Sequence, residues 1–111
     1  MDFRGKVAHI TGSSRGIGAS IAKAFANEGA AIAINYLKNE SAALDTVENC
    51  EKVGGIASSF KADVTNPAEA KLLVESVQSE FGKIDILVNN AFRSYDFDPE
   101  QRKMFWDLNW D

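Results

Sequence analysis

The sequence has almost nothing with which to build a covalent or metal-held scaffold. Its single cysteine, Cys50, closes no internal disulfide and gives zinc-ligand spacing nothing to work on. No stretch approaches the roughly 20 apolar residues that a membrane-spanning helix needs, and residues 1–6 carry no apolar run of the signal-peptide kind. Excess positive charge is missing too: 12 Lys and Arg stand against 16 Asp and Glu, a formal net charge of -4. Binding to polyanions needs a basic patch that releases counterions, so neither nucleic acid nor a membrane is indicated as a partner. One cysteine and no secretion signal fit a reducing, cytoplasmic compartment. Asn39, Glu40 and Ser41 spell a glycosylation sequon, which without a secretion route reads as chance.

What remains is an ordinary globular composition. The 111 residues, 45% hydrophobic and 25% charged, suit one compact domain with one core. Residues 7–11 are apolar without alternation, the pattern of a strand covered on both faces. From Gly16, Ile17, Ile21, Ala24 and Phe25 recur at helical spacing until Gly29 stops them. Residues 30–35 read as a second strand, and the polar turn 38–41 leads to a second helix with Ala43, Leu44, Val47 and Cys50 on its buried face. Residues 56–61, more mixed in polarity, read as a third strand near a sheet edge. Asn66, Pro67 and Glu69 form a helix start, with a capping side chain, a proline where no N–H is needed and a carboxylate reaching back. Ala70, Leu73, Val74, Val77 and Phe81 mark that helix's buried stripe, and Gly82 ends it. Residues 84–89 read as a fourth strand, and Asp98, Pro99 and Gln101 repeat the helix-start signal. Strands alternating with helices of this length imply right-handed βαβ units and a mostly parallel sheet with helices on both faces.

The chemistry-bearing segment follows the first strand directly: Thr11-Gly12-Ser13-Ser14-Arg15-Gly16-Ile17-Gly18. Glycines there allow a tight turn, close approach of backbone to a diphosphate, and close packing of helix on strand. The amides and positive dipole at the helix start attract phosphate, and Ser13 and Ser14 add hydroxyl donors. The segment lacks the G-K-[ST] ending of a nucleoside-triphosphate loop, which removes ATPase and GTPase readings.

The segment 11–18 resembles the TGxxxGxG signature of short-chain dehydrogenases/reductases, and later elements follow in that family's order. Asp63 and Val64 resemble the family's adenine-contacting pair; Asn89, Asn90 and Ala91 resemble its NNAG segment, with Phe92 in place of the usual glycine. The likeness spans essentially the whole chain and looks closest to 3-oxoacyl-acyl-carrier-protein reductase and enoyl reductase-like members. It implies an α/β, Rossmann-type doubly wound parallel sheet of about four strands in the order 3-2-1-4, with residues 1–111 forming the amino-terminal, dinucleotide-binding part. It implies as well an oxidoreductase acting on a small-molecule carbonyl or enoyl substrate; separately, the fourth strand left as an open edge points to a longer parent protein or a homo-oligomer. The family's catalytic tyrosine is followed by a lysine four residues on. Here Glu40 follows Tyr36 and Pro99 follows Tyr95 at that spacing, so no catalytic residue is assigned and the catalytic part is expected to be absent. Phe92, Tyr95, Phe97, Phe105, Trp106 and Trp110 add an independent sign, since so much bulky apolar surface wants a covering partner.

An acid at the end of the second strand would hold the ribose 2′-hydroxyl and favour NAD. Asn35, Tyr36, Leu37 and Lys38 stand there instead, and the Arg15 guanidinium suits a 2′-phosphate, with Lys38 assisting. NADP is therefore expected ahead of NAD. The expected cofactor contacts are Gly12, Ser13, Ser14, Arg15, Gly16, Ile17, Gly18, Tyr36, Lys38, Asp63, Val64, Asn89, Asn90 and Ala91. His9 and Cys50 read as core residues, and no metal site is expected. Two alternatives stay open: a dinucleotide- or partner-binding module without catalysis, and, ranked last, an S-adenosylmethionine methyltransferase, which would want an acid after the second strand.

Overall fold

The computed structural model describes residues 2–14 and 16–90. Along the chain these form β1 (Val7–Ile10), α1 (Gly16–Asn27), β2 (Ala31–Tyr36), α2 (Glu40–Lys52), β3 (Ile56–Lys61), α3 (Pro67–Phe81) and β4 (Ile86–Val88). The strands make one sheet in the order β3-β2-β1-β4, every pair parallel, with Val7 beside Ala31, Ala31 beside Ile56 and Ala8 beside Ile86. The architecture is the doubly wound Rossmann type expected from the element pattern, and β3 is an edge strand as its mixed polarity implied. The helix expected after Asp98, and the aromatic residues from Phe92 onward, lie outside the described residues. No helix among the described residues is long and apolar enough to cross a membrane.

Both faces of the sheet are covered, which is why β1 and β2 show no alternation. Ala8, Ile10, Ile32 and Ile34 pack against Ala22 and Ala26 of α1 and Ala43 and Cys50 of α2. Val7 and Ala33, on the opposite pleat, pack against Leu73 and Val77 of α3. Burying a side chain such as Ile32 or Ile34 fully contributes about 1.5–3 kcal/mol relative to exposure. Burial also pushes the Cys50 thiol up to about 11, so at neutral pH it is a small apolar group and no nucleophile.

The stripe of α1 is not the one its bulky residues suggest. Gly18, Ala22 and Ala26 face the core, whereas Ile17 is 73% exposed and Ile21 and Phe25 only flank it. Close approach decides this: a Cβ on Gly55 would lie 2.7 Å from the Ala26 Cβ, leaving room on this face only for the smallest side chains. A similar shift in α2 buries Thr46 and leaves Leu44 52% exposed. In α3 the expected Leu73 and Val77 are buried, and Val74 is 39% exposed.

β4 is shorter than the expected 84–89 because Asp85 serves as an anchor ahead of it. Its Oδ2 accepts the Val7 N–H at 2.8 Å and pairs with Lys83 Nζ at 3.0 Å, and its own N–H donates to the Val7 carbonyl at 2.9 Å. Those bonds, the Val7 N–H foremost, hold its carboxyl below the usual carboxylate range.

His9 lies mid-strand, 2% exposed, between Ala33 and Leu87 in the sheet register. Neither ring nitrogen has a hydrogen-bond partner among the described residues. Burial holds its pKa below the ordinary value. Unfolded chains therefore bind a proton near pH 6.5 that the folded chain refuses, so stability falls as pH drops below that point. His9→Leu is expected to raise stability by about 1 kcal/mol and to flatten the dependence between pH 7 and 5 in urea titrations. An unchanged slope would mean the imidazole is not the group that titrates.

Candidate functional site

In a parallel sheet every strand points the same way, so the segments leaving the carboxyl ends of β1, β2, β3 and β4 converge on one rim. Gly12 and Gly16 bend the segment after β1 with φ of 60° and 64°, in the left-handed region that side chains disfavour. The turn is then fastened from three sides. From β2, Asn35 Oδ1 accepts the Gly12 N–H at 3.0 Å. From the end of β4, Asn90 Nδ2 donates to the Gly12 carbonyl at 3.3 Å, and the Asn90 N–H donates to Thr11 Oγ1 at 2.8 Å. From α2, Thr46 Oγ1 donates to the Ser14 carbonyl at 2.7 Å.

Helix α1 starts immediately after this turn, with no acidic residue in its first turn to compete for its amides. Its approach depends on Gly18, where a Cβ would lie 2.5 Å from the Gly12 oxygen, 2.7 Å from Asn90 Nδ2 and 2.8 Å from Ser13 Cα. Ile17 projects into solvent beside it.

Ser13 departs from expectation. It is fully buried, its hydroxyl donates to the Ile10 carbonyl at 2.6 Å and accepts the Asn35 N–H at 3.0 Å. A hydroxyl has one proton, and this one is spent inside the protein, so Ser13 braces the turn and offers no hydroxyl donor to a phosphate. Ser14 stays half-buried at the surface of the turn.

After β3, Asp63 and Val64 sit half-buried at the same rim. Asp63 Oδ1 takes the Thr65 N–H at 2.9 Å and the Thr65 hydroxyl. Asn66 caps α3 as expected, accepting from the Ala68 and Glu69 amides at 3.0 and 3.3 Å. Glu69 does not reach back to the Asn66 N–H, which donates to the Asp63 carbonyl at 3.0 Å. Its carboxylate instead accepts the Asp63 N–H at 3.1 Å, so helix α3 stiffens the Asp63 loop. After β2, Tyr36 is half-buried and Lys38 exposed. Asn89 is exposed, with Oδ1 3.4 Å from Thr11 Oγ1. Arg15 and Ala91 lie outside the described residues.

Asn35 is the residue that pattern reading passed over. It was weighed only as the absence of an acid, yet it is buried and its Nδ2 also donates to the Ala62 and Phe60 carbonyls at 3.2 and 3.4 Å. The available signal was a polar side chain closing a fully apolar buried strand, where it must find partners. No group of acidic, histidine or cysteine side chains among the described residues is placed to hold a metal ion.

A doubly wound parallel sheet with a glycine turn opening onto the first helix defines a Rossmann-type protein. A profile described as short chain dehydrogenase matches residues 6–109. The chain is 47% identical over 89 residues to an uncharacterized oxidoreductase of Methylorubrum extorquens, covering 80% of this chain and 36% of that one. It is 44% identical over 91 residues to L-rhamnose 1-dehydrogenase (NADP(+)) of Thermoplasma acidophilum, covering 82% and 36%. Against the short-chain dehydrogenase/reductase homolog YusS of Bacillus subtilis it is 37% identical, covering 82% of this chain and 84% of the other. Among solved structures, a short chain dehydrogenase from Burkholderia cenocepacia in complex with NADP superposes with a TM-score of 0.83 at 40% identity, covering 90% and 41%. An NADH-dependent reductase complexed with NAD gives 0.76 at 35% identity, covering 80% and 37%. The chain belongs to the short-chain dehydrogenase/reductase family and spans little more than a third of the length of the first two of these relatives.

Ser13→Ala leaves the Asn35 N–H and the Ile10 carbonyl without their buried partner and is expected to cost about 1–3 kcal/mol in urea unfolding. Gly18→Ala drives a methyl into the Gly12 carbonyl, and a cost of about 1–3 kcal/mol is expected from overpacking. A Gly18→Ala chain as stable as the parent would show that the helix is free to back away.

Proposed function

We propose that this chain forms the cofactor-binding part of an NADP(H)-dependent oxidoreductase that reduces a carbonyl or enoyl compound, in the cytoplasm. The observation carrying this reading is the fastened turn at Gly12, opening on the first amides of α1 at the rim where four strands end. The diphosphate would rest on the amides of Gly16, Ile17 and Gly18 and on Ser14. Asp63 and Val64 would take the adenine, and Asn89, Asn90 and Ala91 would border the nicotinamide ribose. The bound nicotinamide would supply the hydride.

The preference for NADP follows from what the end of β2 presents. Asn35 is turned inward and fully engaged, so Tyr36, Leu37 and Lys38 are the side chains left to meet the ribose, and none is a carboxylate. Arg15 and Lys38 would pair with a 2′-phosphate. Relatives point both ways, one named for NADP and one solved with NAD. A second reading, a dinucleotide-binding module without catalysis, draws on one observation: neither Tyr36 nor Tyr95 has a lysine four residues on.

Fluorescence titration with NADPH and NADH tests the binding. Arg15→Ala is expected to weaken NADPH about tenfold or more while barely changing NADH, the scale of a lost charge-assisted hydrogen bond. Tyr36→Asp is expected to reverse the preference toward NADH by placing a carboxylate at the ribose. Equal weakening of both cofactors by Arg15→Ala would remove it from the phosphate site. NADPH oxidation with a panel of ketones, acyl thioesters and enoyl compounds separates the two readings, since the module reading expects binding without turnover.

A further inference from the structure

We infer that Asn35 is a positioning residue that couples the two ends of the nucleotide site, so that the pyrophosphate and adenine portions of an ADP group bind cooperatively. The inference rests on the dinucleotide reading and adds a role for a side chain that would touch no ligand. Its acceptor oxygen holds the Gly12 N–H of the phosphate turn at 3.0 Å. Its amide nitrogen, facing the other way, donates to the Ala62 carbonyl at 3.2 Å and the Phe60 carbonyl at 3.4 Å, immediately before Asp63. Its main chain exchanges two further bonds with Ser13, each of 3.0 Å. At 2% exposure it spends nothing on solvent.

The sheet order makes this link necessary. β1 and β3 are not neighbours; β2 lies between them, and Asn35 on β2 bonds both to the turn after β1 and to the residues just before the loop after β3. Asn35 is placed where it can bond both, and a primary amide is the smallest group offering one acceptor and two donors on opposite edges. With the two walls held at fixed separation, a ligand spanning them meets a preorganised site. Without the amide, the ligand must order one wall against the other as it binds.

A double-mutant cycle on ADP affinity, measured by calorimetry in the full chain, tests the coupling. Asp63→Ala is expected to weaken ADP about tenfold in the parent but only about twofold beside Asn35→Ala, a non-additivity typical of coupled sites. Pyrophosphate, which spans only the turn, is expected to be insensitive to Asp63→Ala in both backgrounds. If Asn35→Ala does not fold, as circular dichroism would show, the cycle is run with Asn35→Ser, whose hydroxyl is too short to reach both walls. Strictly additive losses, or an Asn35 variant that lowers the melting point without changing ADP affinity, overturn the inference. Failure of the parent chain to bind either ADP or NADPH overturns the dinucleotide reading along with it.

Discussion

Gly12 has its N–H on Asn35 and its C=O on Asn90, side chains delivered by two different strands on either side of β1. Its backbone sits in the left-handed region, where the chain turns from the end of β1 toward α1. A free turn of this kind samples many shapes; one with both its donor and acceptor engaged does not. Everything else at the rim depends on that restraint. The start of α1 is aimed by it, Gly18 can press to within van der Waals limits of it, and Ser13 is locked beneath it by the Ile10 carbonyl and the Asn35 N–H.

The same restraint explains an otherwise wasteful helix. Bringing α1 this close requires Gly18, Ala22 and Ala26 on its inner face, which bury far less apolar area than isoleucine or phenylalanine would in their place. Ile17 is left 73% exposed as a result. Hydrophobic burial is sacrificed here for proximity, and proximity puts the first amides of the helix over the turn. That exchange is intelligible if those amides have an anion to meet, and hard to rationalise as packing alone.

How far the sequence disclosed this varied with the physics involved. Element order, the parallel sheet and the edge position of β3 were legible because they follow from periodicity and polarity, averaged over many residues. The apolar spacing of α1 marked the helix but not its innermost face, which close backbone approach gives to Gly18, Ala22 and Ala26. Ser13 was taken as a donor to ligand, whereas its one hydroxyl proton goes to the Ile10 carbonyl and its oxygen accepts the Asn35 N–H, 22 residues on, an arrangement that only the folded turn sets up. Glu69 was expected to bond three residues back and reached six, to Asp63, for the same reason.

A buried polar network of this kind ties stability to site geometry. Removing one partner of a buried hydrogen bond costs about 1–3 kcal/mol, a sizeable part of the 5–15 kcal/mol that keeps a typical domain folded. The Asn35 side chain holds several such bonds at once, so an aliphatic residue of similar size would strand the Gly12 N–H and take the amide donor from the Ala62 carbonyl. A substitution that breaks the turn's shape therefore costs stability even before any ligand is considered. The converse also holds: His9, equally buried and without a hydrogen-bond partner among the described residues, sits away from the rim and braces nothing there. Buried polarity by itself marks no site; what distinguishes the Asn35 network is that its bonds converge on backbone which the chain would otherwise leave free at the mouth of the sheet.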